Sequence, residues 1–219
     1  MDEGGDYPLI ATLWRGVVLN TLAEAFLRVF EPMESLWWDR PDCILTDGQG
    51  TYCALTFTEG DVIGVLCDGH SERDVSPESG EFDWTPYLRG IPPRLLAVAR
   101  EHALRIMLES YPGTVTAAFW SEGARLTAAE PWRAVVEHGG HALDRFLQDA
   151  NEAIADWNEA LLFSPAQTAL IRSLLDRRTT YPETPVTLTT AEVAVLRGEA
   201  SGSLAPSRQL LAAIGITLP

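Results

Sequence analysis

The chain of 219 residues carries 31 acids against 16 basic residues, a formal net charge of −15, and every basic residue is Arg. Without Lys there is no P-loop, no kinase strand Lys, no Schiff-base amine and no S-x-x-K serine site. The same acidity opposes a nucleic-acid backbone or an anionic membrane surface, both of which recruit cations, while 46% hydrophobic residues with seven Trp supply a globular core.

The sequence begins Met1-Asp2-Glu3-Gly4-Gly5-Asp6. A secretory leader is basic and then apolar, the reverse of this. Apolar stretches such as 62–67 are far shorter than the roughly 20 residues that span a bilayer. Three Cys cannot all pair with one another, which suits a reducing compartment. The expected location is the cytoplasm.

Residues 9–30 predict one long amphipathic helix. Ile10, Leu13, Trp14, Val17, Leu22, Phe26, Val29 and Phe30 recur at three- and four-residue steps. Asp2, Glu3 and Asp6 precede it, where the helix dipole favours acids, and Pro32 stops it. Trp37-Trp38-Asp39-Arg40-Pro41 reads as a bulky loop or strand entrance. Three short strands follow, over 43–46, 51–57 and 61–67. The turn Asp47-Gly48-Gln49-Gly50 joins the first two and Glu59-Gly60 the last two. The implied register sets Phe57 opposite Val62, Leu55 opposite Gly64 and Cys53 opposite Leu66, with Ile44 beside Cys53. Tyr52, Ala54 and Thr56 then share the other face with Cys67, Val65 and Ile63. Both faces are apolar, so the meander is expected to be covered on both sides, one of them by the first helix.

Residues 68–93, with Gly69, Pro77, Gly80, Pro86, Gly90, Pro92 and Pro93, form a long connection of the kind that carries function. Pro93 opens a helix to about residue 110. Residues 115–120 predict a fourth strand, with Ser121-Glu122-Gly123 turning out of it. From 128 onward the pattern is helical. One helix covers 141–162, with Asp144, Asp149, Glu152, Asp156 and Glu159 on its acidic side. Ser164-Pro165-Ala166-Gln167 and Thr189-Thr190-Ala191-Glu192 each open a helix with a capping box, and Gly198 ends the second. A last short helix runs from about residue 206 to 213 and ends at Gly215. The fold class is therefore α+β: a small, mostly antiparallel sheet with a long N-terminal helix, followed by a helical C-terminal part. The expected domains are 1–127 and 128–219. Residues 1–163 hold a net charge of −16 and residues 164–219 a net of +1.

The densest polar cluster is Asp68-Gly69-His70-Ser71-Glu72-Arg73-Asp74, placed just after a buried strand. His70 among carboxylates could perform acid–base work, bind a metal, or simply close a solvated loop. A zinc set of Cys67, His70, Cys53 and Cys43 fails on the register. Cys53 and Cys67 point to opposite faces, and Cys43 and Cys67 share a face two strands apart. The thiols read as small buried hydrophobes. No cofactor is implied. His138-Gly139-Gly140-His141 resembles an esterase oxyanion loop, but the G-x-S-x-G elbow is absent and a break between helices explains the glycines. A helix-turn-helix near the C-terminus is disfavoured by the long 198–205 connection and by Arg208 standing as the only basic residue of its second helix. Trp84, in the long loop beside Glu81-Phe82-Asp83, is expected to be partly exposed. Asp68, His70, Glu72, Asp74 and Trp84 are the candidate binding residues.

A further set of residues carries a resemblance. Asp47-Gly48-Gln49-Gly50 on a strand hairpin, then Asp68, His70-Ser71-Glu72, Ser76-Pro77, Trp84 and Ile91-Pro92 resemble a family of uncharacterised bacterial proteins. Its pattern is a D-G-x-G hairpin, a D-H-E-S-x-x-S-P segment, a Trp and a Leu-Pro. Here Gly69 intervenes and Ser and Glu are exchanged. The hairpin also looks similar to the SMI1/KNR4-type immunity superfamily, whose N-terminal L-P-x-x-Y segment is not visible. The resemblance covers under half the chain, and implies a toxin-neutralising or regulatory binding protein. The expected function is non-catalytic: an acidic surface engaging a basic protein partner. The alternative is a metal- or acid–base-dependent enzyme with its site in the Asp68–Asp74 loop. A third possibility is one subunit of a larger assembly.

Overall fold

The computed structural model describes residues 7–27, 29, 36–74, 83–110, 114–161, 163–180, 182, 184–198 and 203–219. The expectations at Asp2, Glu3, Asp6, Phe30, Pro32, Ser76-Pro77 and Glu81-Phe82 fall outside these residues. The chain forms two compact units, each discontinuous in sequence. One comprises Met1–Ala11 with Trp37–Asp144, the other Thr12–Leu36 with Arg145–Pro219. The division thus lies at Asp144 rather than at 128, and most of the first helix belongs with the C-terminal residues.

The first unit is built on a six-stranded antiparallel sheet in sequential order. Its strands are β1 Leu36–Asp39, β2 Asp42–Thr46, β3 Thr51–Phe57, β4 Val62–Asp68, β5 Ala117–Glu122 and β6 Arg125–Thr127. The β3–β4 register is the one read from the sequence: Phe57 with Val62, Leu55 with Gly64, Cys53 with Leu66. The β2–β3 register differs by one residue, pairing Ile44 with Ala54 and Cys43 with Leu55. The cause is the loop length. Asp47 and Thr51 still pair through the backbone, leaving three residues between them. Cys43 consequently joins Cys53 on one face, and Cys67 lies on the other.

Every residue of β4 is buried, as its apolar run requires. Ile44, Ala54, Ile63, Val65, Ala118 and Trp120 form one face of the core, packed with Leu95, Ala99, Leu104 and Met107. These last come from α2 Pro93–Glu101 and α3 Ala103–Ser110. The single helix expected here is broken at His102, whose backbone leaves helical geometry. Thr56 Oγ1 takes the Ala103 N–H and donates to buried Asp42 at 2.6 Å; His102 Nδ1 lies 3.1 Å from the same carboxylate. A sheet side chain thus supplies an acceptor where the helix lacks one. On the other face Phe119 meets Trp132 edge-on, at 5.7 Å between ring centres. Trp132 opens α4, Trp132–Glu137. β5 runs on past the expected turn and pairs with β6 across Gly123-Ala124.

The second unit is helical. It contains the body of α1, Ile10–Leu27, with α6 Ala150–Leu161, α7 Pro165–Thr180, α8 Thr190–Arg197 and α9 Ala205–Ala213. The helix expected over 141–162 is divided into a 3-10 turn at Gly140–Leu143, a short α5 at Asp144–Leu147, and α6. Asp149 makes the last break, its Oδ1 accepting the Asn151 N–H at 2.8 Å as an N-cap. Both capping boxes form. Ser164 and Gln167 exchange side-chain bonds of 3.0 and 3.2 Å with each other's amides, and Thr189 and Glu192 do the same. A two-residue parallel pair, β7 Val186–Thr187 with β8 Ile216–Thr217, ties α9 to the α7–α8 connection. By length and mean hydropathy α1 is long and apolar enough to cross a membrane, and 67% of it is buried within the protein, as in a core helix.

Candidate functional site

One end of the first unit's sheet gathers three turns. The D-G-x-G turn closes because Asp47 Oδ1 accepts the amides of Gln49 and Thr51, at 2.7 and 3.0 Å, while Gly48 and Gly50 take positive φ. The loop after β4 is a run of side-chain-closed turns. Asp68 Oδ1 accepts the His70 N–H, and its carbonyl accepts the Ser71 N–H. Ser71 Oγ then accepts the Arg73 N–H. Asp, Ser and Gly at this spacing favour such turns because each short side chain reaches the backbone two residues on. The third turn follows α4, where Gly139 takes a φ of 128° that any Cβ would oppose.

Hydrogen bonds fasten the three turns to one another. The Gly69 N–H donates to the Gly50 carbonyl at 3.2 Å, and His70 Nε2 donates to the Gln49 carbonyl at 2.6 Å. His141 Nε2 stands 3.3 Å from Thr51 Oγ1 and 3.9 Å from the Asp47 carboxylate. Thr116, just before β5, receives the Asp68 N–H and donates to the His138 carbonyl at 2.6 Å. Ser71 Oγ lies 2.9 Å from His138 Nδ1, and His138 is buried. Arg73 forms a two-pronged pair with Glu130, at 2.7 and 2.9 Å, and lies over the Tyr87 ring. Asp74 Oδ1 accepts from the Thr114 hydroxyl at 2.7 Å.

Charge is concentrated here. Partial burial pushes the Asp47 carboxyl up, but the amides of Gln49 and Thr51 outweigh it and hold it below the usual carboxylate range. Burial, together with the Asp74 and Asp68 charges, pushes the Cys67 thiol up to about 11. The Arg73 guanidinium is held further in its charged form by Glu130. At the surface of this end stand Asp47, His70, Glu72, Glu137 and His141, all exposed.

Of the sequence candidates, Asp68, His70, Glu72 and Asp74 share this sheet end. Asp68 and Asp74 serve as loop anchors, and Glu72 faces solvent. Trp84 is half-buried elsewhere, against the α2–α3 core, with Arg100 over its ring at 5.3 Å. Among the described residues no group of three His, Cys, Asp or Glu is placed to hold a metal. His70 is tied to a carbonyl, while His138 and His141 each stand within hydrogen-bond reach of a hydroxyl, those of Ser71 and Thr51. The sequence marked His138 only as part of a glycine break. Its partner Ser71 lies 67 residues away, beyond the reach of any local pattern. Thr114, Thr116, Glu130 and Tyr87 were equally invisible, since each enters by tertiary contact. No family model matches this sequence, and neither a curated protein nor a solved structure shows significant similarity to it.

Proposed function

We propose that the protein is a binding module that engages a basic protein partner through the loop-bearing end of its sheet unit. The observation that carries this reading is the mutual fastening of three turns at one sheet end, with Asp47, Glu72 and Glu137 left at the surface. Preorganised loops lose little freedom on binding, and surface carboxylates speed encounter with a cationic partner. The residues of this unit hold 20 acids and eight Arg, a net of −12, against −3 for the other unit. The D-G-x-G resemblance to immunity proteins supports a toxin-neutralising or regulatory form of the same activity. The three free, buried Cys support a reducing, cytoplasmic setting.

The test is capture from lysate with the wild-type chain and with the combined variant Asp47→Asn, Glu72→Gln, Glu137→Gln. A specific partner should be lost in the variant. It should also be lost on raising salt from about 0.05 M to about 0.5 M, where screening removes exposed-charge attraction. Capture indifferent to both would sink the proposal.

The Ser71–His138 pair favours a second reading, an acyl-transfer enzyme: Ser71 Oγ adds to an acyl carbonyl as its proton passes to His138 and the π electrons move to the carbonyl oxygen, and collapse expels the leaving group, which takes the proton from His138. A fluorophosphonate probe should then label Ser71 in the wild type and not in His138→Ala. An unlabelled wild type removes this reading.

A further inference from the structure

The second unit contains a groove between α6 and α7. Along α7, Pro165, Thr168, Ala169, Arg172, Asp176 and Thr179 recur at three- and four-residue steps and line it on one side. Asn151, Ile154 and Asn158 of α6 line the other side. The two helices run antiparallel, since Thr168 bonds to Asn158 and Arg172 to Asn151. The groove has two parts, and Arg172 borders both. Toward the α6 N-terminus is a polar cleft of about 350 Å³ that includes Arg15 and Asp149. Toward the α7 N-terminus is a shallow, mainly apolar depression of about 440 Å³, lined by Phe163, Pro165 and Ala169 among others. Both fall within the size range of small-ligand sites.

The charges in the polar cleft are not equivalent. Asp149 is engaged by the α6 amides it caps, and the Arg15 charge helps hold its carboxyl below the usual range. Asp176 is exposed to water. Arg172 is held by the neutral side-chain carbonyl of Asn151, and among the described residues no carboxylate lies within ion-pairing distance of it. An exposed guanidinium positioned by an amide, with no counterion among the described residues, is poised for an external anion. From Arg172 to Pro165 the helix rises about 10 Å at its standard rise per residue, the length of a medium acyl chain.

We infer that this α6–α7 groove binds a small amphipathic carboxylate, with its anionic head on Arg172 and its aliphatic tail over Phe163, Pro165 and Ala169. The inference is independent of the proposed partner binding, because it concerns the other unit. Charge complementarity selects the head, and the neighbouring apolar depression selects the tail.

The experiment is calorimetric titration of the full chain with octanoate, acetate and octanol. Octanoate should bind at least about tenfold more tightly than either acetate or octanol, since each lacks one of the two features. Arg172→Gln should weaken octanoate by about tenfold or more. Ala169→Trp, which fills the apolar depression from an exposed position, should weaken octanoate while sparing acetate. Circular dichroism should show both variants folded. Octanoate binding no tighter than acetate, or unchanged in both folded variants, overturns the inference.

Discussion

The two units solve the same problem, satisfying polar groups, in opposite ways. In the sheet unit the decisive side-chain bonds join residues far apart in sequence: Ser71 with His138, Arg73 with Glu130, Asp42 with Thr56. In the helical unit the caps close over three residues, as at Ser164–Gln167 and Thr189–Glu192. Its longer reaches come from Arg side chains of α7: Arg172 to Asn151, Arg177 to Glu192 and Arg178 to the Ile214 carbonyl. Strand ends must fasten loops to one another, whereas a helix end can satisfy itself locally. The sheet end therefore becomes a rigid, polar surface. The helical unit closes its helix ends locally and leaves a groove between α6 and α7.

The hardest way to break this comparison is at two glycines. A Cβ on Gly16 would overlap the Phe146 backbone carbonyl, both within the helical unit. A Cβ on Gly64 would overlap the buried Phe119 ring on the sheet. A ring can shift by rotating, but a carbonyl must carry its chain with it. Gly16→Ala should therefore cost more than about 3 kcal/mol, and Gly64→Ala about 1–3 kcal/mol. Urea unfolding of the two variants measures the order, and a larger loss at Gly64 would reverse the assignment of the tighter contact.

The next effect separates distant from local satisfaction. Thr116→Val keeps the shape but removes the hydroxyl that serves both the Asp68 N–H and the His138 carbonyl, in buried surroundings. Two buried groups lose their partner, and the expected loss is about 2–3 kcal/mol. Thr189→Ala removes one exposed cap, for about 1 kcal/mol. Thr116→Val should also change the amide chemical shifts of residues 68–73, whereas Thr189→Ala should leave them unmoved. Equal costs would mean that the sheet-end bonds are replaceable by water.

The same contrast decides what the sequence could disclose. Capping boxes are local, so the starts of α7 and α8 can be read from the sequence. The β3–β4 register followed from a two-residue loop and an apolar alternation. The β2–β3 register slipped by one because Asp47 and Thr51 pair inside the D-G-x-G turn, which the motif alone does not reveal. β6 is three residues with a single buried apolar side chain, Leu126, and β7 and β8 are two residues each; such strands exist only by pairing. The helix breaks at His102 and Asp149 depend on partners, distant in the first case and local in the second. At the site, the Asp68–Asp74 cluster was legible as loop chemistry, but His138, Thr116 and Glu130 required the fold.

The smallest effect is electrostatic, and it sharpens the comparison by pH and salt. Asp61, at the opposite end of the sheet, pairs with Arg94 of α2 and accepts from Ser121 at 2.7 Å. The Arg94 bond, helped by Ser121 and opposed by partial burial, holds its carboxyl below the usual range. Glu192 is lowered chiefly by the Thr189 amide it caps, with Arg177 contributing less. Because both folded values are depressed, each group stabilises the fold above its unfolded value and loses that contribution as pH falls through the folded value, below about 4. Asp61→Asn should cost on the order of 0.5–1 kcal/mol at pH 7, discounted because Arg94 is largely solvent-exposed. The difference from wild type should shrink as pH falls below the ordinary Asp range. High salt should shrink it too, because an exposed partner charge is screened. Glu192→Gln keeps a capping oxygen, so its cost should be smaller and less sensitive to salt. Thermal unfolding of the two variants across pH, at low and high ionic strength, distinguishes the long-range pair from the local cap; equal salt sensitivity would show that both carboxylates are held mainly by Arg.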